Sequence, residues 1–322
     1  MSRSLYPKIG SYHQEWLAVD AVHTIYLEQS GNPDGIPVLY LHGGPGGGSS
    51  KNHRRYFDPE KYRIIIFDQR GCGQSKPSPS IENNTTDLVI DDIEKIRQHL
   101  SIDKWLIAGG SWGTTLALVY GIRHPEFVLG FILRGIFLAT QKEYNWLYKT
   151  EGAESFFPEY YQDFLKPLEI DLQTNPLEGY QEIFSSDNEV AIIAASKAWY
   201  LWELRLSTIE HHHIGMAQIE DSHQALCMAQ LSHHYFYNRC FINENYILDN
   251  IAKISEIPAI IIHGRYDMVC PLINADKLTK LWSNASLQIL PQAGHSGFES
   301  QTIDAICKAT DVMANFLQEN DR

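Results

Sequence analysis

No stretch of roughly 18 consecutive apolar residues occurs in the chain, so nothing in it reads as a membrane span. The opening residues, Met1-Ser2-Arg3-Ser4-Leu5-Tyr6-Pro7-Lys8, lack the apolar run that a secretory signal needs. CxxC pairs are missing as well. The five cysteines (Cys72, Cys227, Cys240, Cys270 and Cys307) are scattered and odd in number, which argues against a disulfide framework and suits the reduced thiols of a cytoplasmic protein. Positive charge is scarce: 26 Lys and Arg stand against 39 Asp and Glu, for a formal net charge of −13. Such a surface disfavours nucleic acid or an anionic membrane as partner. Toward cationic substrates it offers only a background field, screened within about 8–10 Å at physiological salt. The phosphate-cradling pattern GxxxxGK[ST] is absent, and no G-x-G-x-x-G opens a helix. There is no internal repeat, and His211-His212-His213 is the sole triplet of a polar residue.

What is present suits one large α/β domain, or a core with a smaller insertion: 322 residues, 44% apolar and 20% charged. Short apolar runs alternate with helical patterns, the signature of a mostly parallel sheet covered by helices on both faces. Val38–Leu41, Arg63–Phe67, Trp105–Ala108, Leu129–Leu133, Ala259–His263 and Leu287–Leu290 are expected strands. Glu15–Val19 with His23–Glu28 alternates better and is expected to form an antiparallel edge. Thr86–Leu100, Thr114–Arg123, Ile273–Leu281 and Thr302–Gln318 are expected helices. Between residues 137 and 250 the rhythm breaks. That stretch is rich in Trp, Tyr, Phe and His, with amphipathic patches at Ile192–Ser207 and Asp221–Tyr235. It is expected to be a helical cap inserted after the sixth strand, with 1–136 and 251–322 together forming the sheet domain.

Three distant segments carry the chemistry. Gly109-Gly110-Ser111-Trp112-Gly113 sets a serine at the centre of G-x-S-x-G, between an apolar strand and a helix. That is the nucleophile-elbow pattern, whose tight strand–turn–helix geometry needs small residues around the serine. A serine hydroxyl is a poor nucleophile until a base takes its proton. His295, on the Gly-flanked loop Ala293-Gly294-His295-Ser296-Gly297, is the expected base. Asp267, in the loop after Ala259–His263, is expected to hold its imidazole. The rival Asp276 fits better as an exposed helix residue. The order Ser…Asp…His is the one that α/β-hydrolases use, so the expected class is an α/β-hydrolase fold with serine hydrolase chemistry. This machinery needs no metal or other cofactor. His223, His233 and His234 lack partners at ligand spacing and read as packing or solvated groups.

His42-Gly43-Gly44-Pro45-Gly46-Gly47-Gly48 directly follows a strand. Backbone N–H groups of Gly43 and Gly44 are expected to face the developing oxyanion, with the N–H of Trp112 as a further donor. Asp68-Gln69-Arg70 follows the next strand, and its Asp–Arg pair is expected to brace that loop. Cys270, three residues after Asp267, is expected near the active site.

HGGPGGG, DQRGCGQS, GGSWGTTLAL, LRGIF, FFPE, AWYLWE, HYF, GRYDMVCPL and AGHSG together resemble the proline iminopeptidases, a serine-peptidase family of this fold. The likeness runs from about Tyr6 to the C-terminus. It implies release of N-terminal proline from peptides, with Ser111, Asp267 and His295 as the triad. It also implies that Glu203 binds the free imino group beside Trp199 and that Phe137 and Tyr148 contact the pyrrolidine ring. One departure stands out: where the family has a second amine-binding glutamate, this chain has Ser232. A hydroxyl brings no charge, and charge-assisted bonds are about twice as strong as neutral ones. Weaker selectivity for proline, or compensation by Glu220 or Asp221, is the expectation. The competing reading is a carboxylesterase or small-amide hydrolase that uses the same groups on uncharged acyl chains.

Overall fold

In the computed structural model, which describes residues 3–209 and 221–320, eight strands form one sheet. They are β1 (Ser11–Ala18), β2 (Thr24–Gly31), β3 (Ile36–Leu41), β4 (Tyr62–Phe67), β5 (Trp105–Ser111), β6 (Val128–Ile136), β7 (Ala259–Gly264) and β8 (Ala285–Leu290). The spatial order is β1-β2-β4-β3-β5-β6-β7-β8. β1 pairs with β2, and β2 with β4, antiparallel; every other neighbour pair is parallel.

The runs that looked continuously apolar are the interior strands, covered on both faces. Side chains of a strand alternate between faces, and the core divides accordingly. Leu39, Leu41, Ile65, Phe67, Ile107, Leu133 and Ile261 join one cluster with the helices α1 (Thr86–His99) and α2 (Trp112–Arg123). Val38, Tyr40, Ile64, Ile66, Leu106, Ala108, Ile132 and Ile262 join the other, against the C-terminal helix. α2 is buried at every position from Trp112 to Ile122, which fixes the turn that feeds it. β1 is the outer edge, with Trp16 half exposed.

Residues 137–258 contain no strand among those described. They form α3 (Gln141–Tyr148), α4 (Pro158–Leu165), α5 (Pro176–Phe184), α6 (Glu189–Leu206), α7 (Ser222–Tyr237) and α8 (Tyr246–Asn250). α9 (Ile273–Leu281) and α10 (Ser300–Asn320) complete the chain. Two of these helices were expected, at α6 and α7. α3, α4 and α5 are short and lean on neighbouring aromatics: Tyr161 and Phe164 of α4 pack on Trp202 of α6, and Tyr180 of α5 meets Trp199 edge-on. The expected strand Trp105–Ala108 runs on through Gly109-Gly110-Ser111. Pairing with β6 extends to Ser111 opposite Ile136 and overrides the low strand propensity of glycine. His211–His213 and Glu220 lie outside the described residues.

Candidate active site

Every residue of interest sits at or just beyond the C-terminal end of a parallel strand: Gly43 after β3, Ser111 at the end of β5, Asp267 after β7 and His295 after β8. In open α/β sheets that edge is where ligands bind. Ser111 is both the last residue of β5 and the residue before α2, with φ 57° and ψ −127°. A non-glycine residue at positive φ is strained by about 1–3 kcal/mol and persists only where its surroundings over-determine it. Here they do. The Thr114 hydroxyl donates to the Ser111 carbonyl at 2.7 Å, and a Cβ at position 113 would sit 2.1 Å from the Leu41 carbonyl oxygen. Only glycine lets α2 approach β3 so closely.

His295 and Asp267 are bonded. His295 Nδ1 donates to Asp267 Oδ2 at 2.8 Å, which leaves Nε2 as the nitrogen able to take a proton. Asp267 Oδ1 accepts from the N–H groups of Val269 (3.0 Å) and Cys270 (2.7 Å). Burial works against the charge on Asp267, but the His295 imidazole and the Cys270 N–H hold its carboxyl below the usual range. His263 lies 3.5 Å from Asp267 Oδ2, and burial lowers its pKa. Gly135, at φ +63°, passes so close that a Cβ would stand 3.1 Å from the His295 ring and 3.3 Å from Asp267 Oδ2.

The glycine-rich loop is tied to the elbow through Gln69. Trp112 Nε1 donates to Gln69 Oε1 (3.0 Å), and Gln69 Nε2 donates to the His42 carbonyl (2.9 Å). The Gln69 N–H donates to His42 Nε2 at 3.1 Å, so the His42 proton sits on Nδ1, which donates to the Gly43 carbonyl at 2.9 Å. Burial lowers the His42 pKa, in keeping with a neutral ring. Asp68 accepts from the N–H groups of Ser49 and Gln74. The expected Asp68–Arg70 pair does not form. Arg70 is buried against Asp92 and Asp20, since taking a guanidinium out of water is costly unless carboxylates pair with it. The bracing falls to Asp68 and Gln69.

Ser111 and His295 line one cavity of about 240 Å³, together with Gly43, Gly44, Phe137 and Glu203. The Cys270 thiol borders it, and its pKa is pushed up by burial, with Asp267 adding to the effect and a hydrogen bond to Ser111 opposing it. Glu203, on α6, is the one Asp or Glu on the cavity wall among the described residues. Tyr148 Oη (2.6 Å) and Trp199 Nε1 (2.8 Å) both donate to its Oε1. Burial raises its pKa to about 7, and the two donors pull the other way. Tyr148 and Trp199 therefore stand behind Glu203 and orient it, rather than forming the cavity surface. Trp202 points away and donates to the Leu147 carbonyl.

Ser232 departs from expectation. It is fully buried, off the cavity wall, and its hydroxyl donates to the Pro45 carbonyl at 3.0 Å. A short side chain next to a backbone carbonyl satisfies that group in preference to reaching across the cavity. Asp221 does not stand in for the missing acid either: it caps α7 by accepting from the Gln224 N–H. Asp276 is half-buried on α9 and paired with Lys280. His233 and His234 donate to the carbonyls of Leu177 and Asn84. Two groups escaped sequence reasoning. Arg134, on β6, borders the cavity, and its charge inside an apolar run was the available signal. Ser207, at the end of α6, carried no signal because it acts through its backbone carbonyl.

The profile of the alpha/beta hydrolase fold matches residues 36–302, and the chain belongs to that class. Solved structures agree at the level of fold. A bacterial membrane phospholipase A superposes with TM-score 0.65 at 16% identity, covering 95% of this chain and 86% of that one. An esterase from Exiguobacterium antarcticum gives TM-score 0.54 at 22% identity, over 92% and 96%. Among curated sequences, the proline iminopeptidase of Xylella fastidiosa is 45% identical over 96% of this chain and 99% of its own. Those of Arabidopsis thaliana (44%, over 92% and 78%) and Neisseria gonorrhoeae (42%, over 95% and 98%) are similar. Within the class, the chain belongs to the proline iminopeptidase family.

Proposed function

We propose that the protein is a serine aminopeptidase that releases N-terminal proline from peptides through an acyl-enzyme. Glu203 is the observation that carries the reading: a buried carboxylate lines the same cavity as Ser111 and His295. An acyl pocket for uncharged chains has no use for it, since burying an unpaired carboxylate is expensive. A secondary ammonium, which only donates, is its natural complement. The curated relatives named proline iminopeptidase support the same substrate.

Ser111 Oγ attacks the carbonyl carbon of the N-terminal residue while His295 Nε2 takes its proton. Asp267 keeps the other imidazole proton on Nδ1 and stabilises the charged ring. N–H groups of Gly43, Gly44 and Trp112 receive the oxyanion, and one such donor is worth roughly 3–4 kcal/mol in the transition state. His295 then hands its proton to the leaving amine, and water repeats the sequence to free the acid. The helical layer over residues 137–250 serves as a cap, with Phe137, Leu147 and Phe236 against the pyrrolidine ring. Five buried thiols fit a cytoplasmic enzyme.

A panel of aminoacyl anilides, free and N-acetylated, tests the reading with wild type and Ser111→Ala. Proline anilide should be cleaved, N-acetylation should abolish cleavage, and Ser111→Ala should be inert. Equal turnover of the acetylated substrate would favour the esterase or amidase reading instead.

A further inference from the structure

The loop that carries His295 is held at four backbone groups on three consecutive residues. The Gly294 N–H donates to Glu299 Oε2 at 2.7 Å. The N–H groups of His295 and Ser296 both donate to the carbonyl of Ser207, at 3.0 and 2.7 Å. The His295 carbonyl accepts from Arg134 Nη1 at 2.5 Å. Ser207 directly follows α6, and its hydroxyl donates to the Glu203 carbonyl one turn back, at 2.8 Å. Glu299 completes the arrangement: its second oxygen, Oε1, accepts from the Ile209 N–H at 3.0 Å. One carboxylate thus bridges two loops from distant parts of the chain.

Glu299 immediately precedes α10, and its side-chain oxygens serve Gly294 and Ile209. The loops are pressed together at this point, since a Cβ on Gly294 would lie 3.3 Å from both Glu299 Oε1 and the Ser207 carbonyl. Bonds from backbone N–H groups to an ionised acceptor are among the stronger ones, and misplacing a catalytic group by about 1 Å costs on the order of 100-fold in rate.

We infer that Glu299 is a positioning residue for His295, strapping the loop of the base to the end of α6, the helix that also carries Glu203. The inference rests on the reading of Ser111, Asp267 and His295 as the triad. Without the strap the base drifts, while Glu203 stays in place with α6, Tyr148 and Trp199. Glu299→Ala should lower kcat on proline anilide by about 10- to 100-fold with KM within about three-fold. The rate constant for labelling Ser111 with a fluorophosphonate should fall in proportion. Glu299→Gln keeps one acceptor oxygen and should fall between wild type and Glu299→Ala; it carries the test if the alanine variant is insoluble. Active-site titration separates positioning from folding. Unchanged kcat, or a loss explained entirely by fewer titratable sites at unchanged rate constants, overturns the inference. Full activity in Ser111→Ala would instead sink the triad reading on its own.

Discussion

Glu203→Gln separates two effects of one buried charge. In the free enzyme Glu203 is 8% exposed, and its carboxyl pKa rises from 4.5 to about 7 because burial penalises the ionised form. A shift of that size corresponds to about 3 kcal/mol. Its sign follows from which state holds the proton. Between pH 4.5 and 7 the folded chain keeps a proton that the unfolded chain has lost, so wild-type stability falls as pH rises through that window. The glutamine variant has no such loss. It should therefore match wild type near pH 4 and melt several degrees higher at pH 8, by thermal denaturation without substrate. Activity should move the opposite way. Removing one partner of a buried ion pair costs about 2–5 kcal/mol, so kcat/KM for a free proline anilide should drop by roughly 30- to several-thousand-fold. More stable and less active is the expected pairing. If Glu203→Gln retained kcat/KM within about three-fold, the ammonium would not bind there and the reasoning would fail. An absent pH-dependent gain in melting temperature would instead mean that the carboxyl is not desolvated.

Asp267→Asn leaves shape intact but cannot hold the Nδ1 proton of His295, so kcat should fall by about 10⁴-fold with an unchanged circular dichroism spectrum. Gly113→Ala forces a Cβ against the Leu41 carbonyl at 2.1 Å. Backbone must shift, and urea denaturation should register a loss of at least about 1–3 kcal/mol.

The interior strands, the long helices and the order of the three candidate catalytic residues were legible because each rests on local pattern. Ala259–His263 and Ile273–Leu281 declare themselves through apolar runs and periodicity, and the structure holds a strand and a helix there. G-x-S-x-G marks the elbow because the turn admits little else. What stayed hidden depends on partners remote in sequence. The acid nearest Arg70 in sequence is Asp68, whereas folding pairs it with Asp20 and Asp92. Ser232 occupies a position that the family resemblance assigns to the pocket, but a hydroxyl next to the Pro45 carbonyl turns there. The hold of the Ser207 carbonyl on the His295 loop is backbone to backbone, which leaves no trace in residue identity.

The twin hydrogen bonds on the Ser207 carbonyl couple the end of α6 to the main chain on either side of the His295 Cα. A movement of that helix end must either break them or carry the His295 loop along with it, so the helix that bears Glu203 and the loop that bears His295 are joined through main chain as well as through side chains.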